Sequence, residues 1–281
     1  MIAYRLLSSD DFDSLYDCFL TAFSDYAVDM QMSREQFQQR LTRDGVSLQH
    51  TAAAFDGERM VGFCLNALGQ WQERQTAYDG GAAVIPDYRG RGVAKEMFAF
   101  LMPRLKEAGV SQYLLEVLTS NTPAARLYRK LGFVETRRLA VFRSEPQKGT
   151  RDTRESDVSI SPVKRPDWPL FQTFWDGHPS WQNSIEAVER VTADRTIIGA
   201  YVNKECVGYG VVFVPSANLM QLAVAPQHRR QGIGSTILAA LEQSEPLKIN
   251  NIDEELKPTL AFYEANGYKQ VLEQFEMIKT L

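Results

Sequence analysis

Hydrophobic positions along the chain change their spacing in a fixed order, and that order runs through it twice. Residues 2–7 read as a short strand, and at 10–23 apolar side chains recur at helical intervals in Phe12, Leu15, Tyr16, Phe19 and Phe23. Ser33 followed three places later by Gln36 predicts a capping box and a second helix ending near Arg43. Alternation then takes over. Residues 51–55, the turn Asp56-Gly57 and residues 60–68 predict a hairpin, with a further strand at 76–84. A helix at 93–108 is closed by Gly109, and residues 112–117 read as a buried strand. Thr122-Pro123 opens a helix that Gly132 stops, and 133–142 completes the sheet.

From 143 to 159 the pattern turns polar and nearly loses its apolar positions, which marks a linker. Beyond it the plan repeats: a strand near Ile160, helices at 168–175 and 184–191, strands at 196–202, 207–214 and 219–224. A helix at 233–243, a strand at 247–252, a helix at 258–266 and a last strand follow. The expected division is residues 1–146, a linker at 147–157, and residues 158–281. Arg229 lies 140 residues after Arg89, whereas Tyr263 lies 135 after Tyr128. The second copy is therefore five residues shorter between these marks, and Gln243-Ser244-Glu245-Pro246 is where the connection is curtailed.

Length and composition narrow the classes. The 281 residues suit two ordinary domains, and 44% hydrophobic with 23% charged residues is globular composition. A net charge of -4 offers no overall attraction for nucleic acid or an anionic membrane. Cys18, Cys64 and Cys206 form no C-x-x-C pair, so they read as reduced thiols in a cytoplasmic protein, Cys64 as a core residue. Three scattered histidines give no metal motif. No segment reaches the roughly 18 apolar residues of a membrane span.

The chemistry-bearing signal is a duplicated turn. Ala83-Val84-Ile85-Pro86 precedes Arg89-Gly90-Arg91-Gly92-Val93-Ala94, and Ala223-Val224-Ala225-Pro226 precedes Arg229-Arg230-Gln231-Gly232-Ile233-Gly234. Each is an apolar run, a proline, a basic glycine-bearing turn and a helix start. Amides there have no internal partner and the helix dipole adds positive charge, so a diphosphate can settle on them. Neither turn continues into the Lys-Ser/Thr pair of a nucleotide P-loop.

The segment from Val84 to Ala94 matches the R/Q-x-x-G-x-G/A signature of the GNAT N-acetyltransferases. Leu115-Glu116-Val117, Asn121, Ala124, Leu127-Tyr128 and Gly132-Phe133 resemble that family's following strand and helix. The resemblance covers nearly the whole chain apart from the linker, and its tandem form resembles that of mycothiol synthase. It implies an α/β (α+β) fold class: two GNAT domains, each a central mixed, mostly antiparallel twisted sheet flanked by helices.

It also implies acetyl-CoA as cofactor, with pantetheine along Ala83, Val84 and Ile85 and the diphosphate on residues 89–94. In the second copy Val224, Arg229, Gly232 and Gly234 correspond. By the same resemblance Glu116 is the base that takes the amine's proton, beside its plainer reading as a solvated strand residue. Tyr128 is the acid that protonates the departing thiolate, beside its plainer reading as a core tyrosine. A backbone amide near Ala83 would steady the oxyanion.

An ungapped alignment on Gly132-Phe133 and Gly267-Tyr268 sets Asn251 opposite Glu116, Leu256 opposite Asn121 and Tyr263 opposite Tyr128. The first half is thus expected to catalyse and the second to be a degenerate scaffold. Neither fourth strand has an acid where some family members carry one, at Tyr78 and Asn218. The acceptor is expected to be a small-molecule or peptide amine, the protein a monomer or homodimer. Asp25 and Asp29 either attract a cationic acceptor or are solvated loop acids. Trp168, Trp175 and Trp181 either line the second cleft or pack on their sheet, and Arg137-Arg138 reads as ordinary surface. The alternatives to an enzyme are a non-catalytic acyl-CoA sensor or scaffold, and a structural relic.

Overall fold

A computed structural model describes residues 1–144, 158–242 and 246–281 of the chain. The expected linker 147–157 and residues 243–245 of the curtailed connection lie outside the described residues. The chain forms two compact units that do not follow chain order. Unit 1 is Met1–Thr136 with Phe275–Leu281, and unit 2 is Arg137–Gln274.

Unit 1 begins with β1 (Ile2–Leu6), α1 (Phe12–Ala22) and α2 (Arg34–Asp44). The first helix starts two residues later than its spacing predicts because Ser9–Asp11 forms a 3-10 turn. The Ser33 box forms as expected: Gln36 N donates to Ser33 Oγ at 3.2 Å and Ser33 N to Gln36 Oε1 at 2.9 Å. Gly45 ends α2 at φ +77°, the left-handed position that glycine takes without strain. Strands β2 (Ala52–Asp56), β3 (Arg59–Trp71) and β4 (Arg74–Val84) pair antiparallel. Then α3 (Val93–Glu107), β5 (Gln112–Leu118) and α4 (Thr122–Lys130) follow.

Two features of β4 open the sheet. Leu65 pairs with Gly81 and Asn66 with Asp79, so Gly80 is an extra residue in a β-bulge. Parallel pairing with β5 runs from Thr76↔Gln112 to Asp79↔Leu115 and ends there. Past that pair β4 and β5 part, and β4 keeps a free edge. The core holds Phe19, Phe37, Phe63, Phe98, Leu101 and Tyr113, and residues from the end of the chain join it: Met277 is buried there and Phe275 packs under Arg129. Leu281 N donates to Ser111 O at 3.0 Å.

In unit 2, β6 (Val134–Ser144, from Arg137 on), β7 (Ser159–Pro162), α5 (Trp168–Gln172), α6 (Ile185–Arg190) and β8 (Arg195–Val202) come first. They are followed by β9 (Glu205–Phe213), β10 (Asn218–Val224), α7 (Ile233–Leu241), β11 (Lys248–Asp253), α8 (Lys257–Ala265) and β12 (Tyr268–Thr280, of which 268–274 belong here). The sheet runs β6-β11-β10-β9-β8-β7, parallel only between β10 and β11. A bulge recurs at Met220, and the β10–β11 pairing covers Asn218↔Lys248 and Leu219↔Ile249. One face packs Ile237, Leu238, Ile249 and Tyr263, and the other packs Phe171 on Tyr209 with ring centroids 4.0 Å apart. Each unit is thus a mixed, mostly antiparallel sheet flanked by helices, as the resemblance implies.

Candidate active site

Both basic turns fold alike. Pro86–Tyr88 and Pro226–His228 are 3-10 turns, and Gly92 and Gly232 then enter their helices at φ +80° and +85°. The first backbone bonds inside the helices are Glu96 N to Gly92 O and Thr236 N to Gly232 O, so the amides of 93–95 and 233–235 have no acceptor in their helix. A Cβ built on Gly90, Gly92 or Gly232 would meet nothing within 4 Å. The glycines therefore face open space, which suits a bulky anion on the amides. Gly234 differs: a Cβ there would stand 3.0 Å from the Phe262 ring, so its smallness serves helix packing.

The first arginine of each turn is a latch. Arg89 donates through Nε to Val84 O at 3.0 Å, through Nη2 to Ala22 O at 2.8 Å, and to both carboxylate oxygens of Asp25 at 2.7 and 2.8 Å. Arg229 repeats this with Val224 O, Phe174 O and Asp176. Both guanidinium groups are thus spent on the protein's own acceptors at the surface, and Asp25 is the latch's anion, with its carboxyl held below the usual range by that hydrogen bond. Ile85 N donates to Val61 O on the β3 side. Since N–H and C=O of one strand residue share an edge and edges alternate, Val84 presents its N–H to the opening between β4 and β5.

Glu116 is the first β5 residue beyond the last parallel pair, so it stands at the mouth of that opening. Tyr78 Oη donates to Glu116 Oε2 at 2.5 Å, and burial, then the Glu116 charge, push that phenol well up. Arg40 of α2 faces the same place, donating to Gly80 O at 3.2 Å and lying 3.8 Å from Asp44. The carboxylate is therefore fixed in direction with a cation nearby.

Tyr128 comes from α4 and packs edge-on against Phe98 and Phe133. It is only 7% exposed, and burial pushes its phenol well up. Asn121 caps α4 by accepting from Ala124 N at 3.3 Å, which anchors the helix that carries Tyr128. Cys64 is buried against Tyr113 Oη at 3.2 Å with its thiol pushed up by burial, an unreactive core group as expected. Trp71 is buried at the end of β3.

Unit 2 builds a different opening. A cavity of about 520 Å³ is lined by Trp175, Tyr209, Gly232, Asn251, Phe262 and Tyr263, among others. Trp175 Nε1 donates to Tyr209 Oη at 2.6 Å, which donates to Gln221 Oε1 at 2.8 Å, while Gln221 Nε2 donates to Asn183 O at 2.7 Å. Asn250 donates to Asn218 Oδ1 at 2.6 Å. This pair corrects the ungapped alignment. With Tyr78 opposite Asn218 and β5 registered on β11, Glu116 falls opposite Asn250, not Asn251. The cause is Asn251, at φ +61° inside the register shift of β11, which adds one residue that sequence counting cannot place.

One surface reading also changes. Arg137 is only 16% exposed at its side chain: it donates to His178 O at 2.8 Å and lies 3.6 Å from Asp253, and both partners line the cavity. Of the three tryptophans, Trp175 lines the cavity, Trp181 is buried and Trp168 packs edge-on against Phe171. No helix among the described residues is long and apolar enough to cross a membrane.

The chain matches known proteins in both halves. Residues 12–133 fit the model of the acetyltransferase (GNAT) family, and residues 193–270 that of an acetyltransferase (GNAT) domain. An N-alpha-acetyltransferase of Arabidopsis thaliana is 34% identical over 86 residues, 31% of this chain and 45% of the relative. The ribosomal protein bS18-alanine N-acetyltransferase of Escherichia coli K12 is 34% identical over 94 residues, 31% of this chain and 64% of its own length. These alignments thus span about half to under two thirds of the relatives. Among solved structures, a tandem GNAT protein from the clavulanic acid biosynthesis pathway superposes with a TM-score of 0.77 at 15% identity, covering 100% of this chain and 98% of that one. With two matched domains and this shared fold, the chain belongs to the GNAT acetyltransferase family in its tandem form.

Proposed function

We propose that the protein is an acetyl-CoA-dependent N-acetyltransferase that moves an acetyl group to a primary amine of a small molecule or peptide by direct attack in a ternary complex, with unit 1 as the catalytic half. The observation carrying this reading is the pair at the β4–β5 opening: an oriented carboxylate, Glu116, and a buried phenol, Tyr128, whose hydroxyl makes no hydrogen bond among the described residues. The residues fit the cofactor. Amides of 93–95 and the open space at Gly90 and Gly92 can seat its diphosphate, and the edge that Val84 presents to the opening can hold a pantetheine amide, whereas Ile85 N is spent on Val61 O and Ala83 shares that edge. When bound, it supplies the activated acyl thioester.

An alkylamine with a pKa of about 10.4 is nearly all protonated at neutral pH, so a base must uncover its lone pair. Glu116 stands where it can do so, held by Tyr78 and faced by Arg40. A thiolate leaving group has a conjugate acid near pKa 8.5, roughly, and a phenol that stays protonated can supply that proton. Tyr128 fills this role. Similarity over 94 residues to the bS18-alanine N-acetyltransferase of Escherichia coli supports a peptide end as one acceptor class. A cytoplasmic setting, as monomer or homodimer, suits the free thiols Cys18, Cys64 and Cys206.

The cavity of unit 2 favours a second reading, in which that half also holds an acyl-CoA without turnover. Its β11 offers carboxamides where β5 offers Glu116. A screen of amines, aminoglycosides and peptides with acetyl-CoA, reading free thiol in wild type, Gly92→Glu and Gly232→Glu, tests the allocation. Loss of thiol release in Gly92→Glu alone is expected, and loss only in Gly232→Glu would move catalysis to unit 2.

A further inference from the structure

Asp79 is a buried acid that the catalytic reading does not use. It is the last β4 residue paired to β5, 5% exposed, and its Oδ1 accepts from Gly81 N at 2.8 Å. Its Oδ2 is fully buried and has no hydrogen-bond partner. Such a group costs stability, so its presence calls for a cause.

Building the bulge is not that cause. Unit 2 makes the same bulge at Met220 with Leu219 in the corresponding place. The fold therefore works with an apolar side chain there, and the carboxyl is an addition.

What surrounds it is the acid side of the opening. On the same face β3 presents Cys64 and Asn66, β5 presents Tyr113 and Leu115, and α4 presents Tyr128. Cys64, Tyr113 and Asn66 are linked by hydrogen bonds, with Tyr113 donating to Asn66 Oδ1 at 2.5 Å. Phe98 and Phe133 each pack on both Tyr113 and Tyr128. Arg40, Asp44, Tyr78 and Glu116 belong to the opposite face. The facing groups are therefore all neutral, and among the described residues no cation offsets a charge on Asp79.

We propose that Asp79 governs the proton-donating strength of Tyr128, so that turnover in unit 1 belongs to the form in which Asp79 carries its proton. This rests on Tyr128 acting as the acid. An ionised Asp79 opposes the phenolate that forms when Tyr128 gives its proton to sulfur, which makes Tyr128 a weaker acid. Burial raises the Asp79 carboxyl to about 7, and the Asp79 charge is the largest influence on Tyr128 after burial. The couple therefore switches within the neutral range: a protonated, active form below, an ionised, slower form above. Asp79 acts through Tyr128 and is a positioning residue.

The test compares wild type, Asp79→Asn and Asp79→Leu, the last reproducing the residue of unit 2. Carbon-13 NMR of the Asp79 carboxyl in wild type is expected to show titration near 7, and ultraviolet titration of the Tyr128 phenol is expected to move to lower pH in both variants. In turnover with acetyl-CoA, the ratio of Asp79→Asn to wild-type kcat is expected to rise with pH across the neutral range, reaching about three- to ten-fold, the effect of up to one pKa unit on the phenol. Titration of Asp79 near 4, or a ratio that stays flat with pH, would overturn the proposal. Absence of turnover in wild type with every amine would defeat the catalytic reading instead, while the two titrations would still decide the coupling.

Discussion

The two units share a framework and differ in its chemistry. Turn, helix-entry glycine, arginine latch and bulge recur at matching positions, down to the 3.0 Å bond from arginine Nε to the valine carbonyl. At the opening, however, unit 1 sets Tyr78 against Glu116, where unit 2 sets Asn218 against Asn250. Asp79 in unit 1 becomes Leu219 in unit 2. Backbone-built anion seats survive because they need only glycine and a helix start. Proton transfer needs particular side chains, and unit 2 has replaced its acid with carboxamides that hydrogen-bond but do not titrate.

The largest effect that can break this comparison is removal of the phenol. Tyr128→Phe is expected to lower kcat by roughly 10²–10⁴-fold, with Tyr263→Phe close to wild type. A reversal in steady-state thiol release would assign catalysis to unit 2. Next, Glu116→Gln is expected to cost about 10²-fold in kcat near neutral pH, with the deficit shrinking at alkaline pH as amine deprotonates unaided. Asn250→Asp should leave turnover unchanged.

Unit membership is sharpened by Met277→Ala, expected to destabilise unit 1 by about 2–5 kcal/mol. Hydrogen exchange should report the loss in β2–β5 while β8–β10 keep their protection. The smallest effect concerns Asp79 and stability. Native Asp79 keeps its proton up to about 7, whereas an ordinary aspartate releases it near 3.8. The native state therefore binds more protons between these values, and stability falls as pH rises through that window. Asp79→Leu is expected to be more stable than wild type at pH 8 by about 1–3 kcal/mol, with the gain shrinking towards pH 4. Equal urea midpoints at pH 8 would contradict a buried, strained carboxylate.

Elements governed by local rules were legible in the chain. The Ser33 box, the glycine stops at 109 and 132 and both basic turns depend on neighbours a few residues away. Features set at long range were not. Asn251 bulges β11 without any glycine to mark it, so counting misassigned the partner of Glu116. Arg137 reads as surface because its acceptor, His178 O, lies 41 residues on. Asp79 carried a signal that could have been used: a lone acid in the apolar and small run of residues 76–84. Its meaning emerges only from the bulge and the Leu219 counterpart.

The assignment of Phe275–Leu281 to unit 1 bears on biosynthesis. Residues 1–136 are translated before Met277 and Phe275, which help fill their core, so the amino-terminal unit is completed only when that later segment has been made. Closure then joins residues more than a hundred positions apart, a slow kind of contact to form. Nascent chains arrested short of residue 275 should accordingly be protease-sensitive in the very half that was made first.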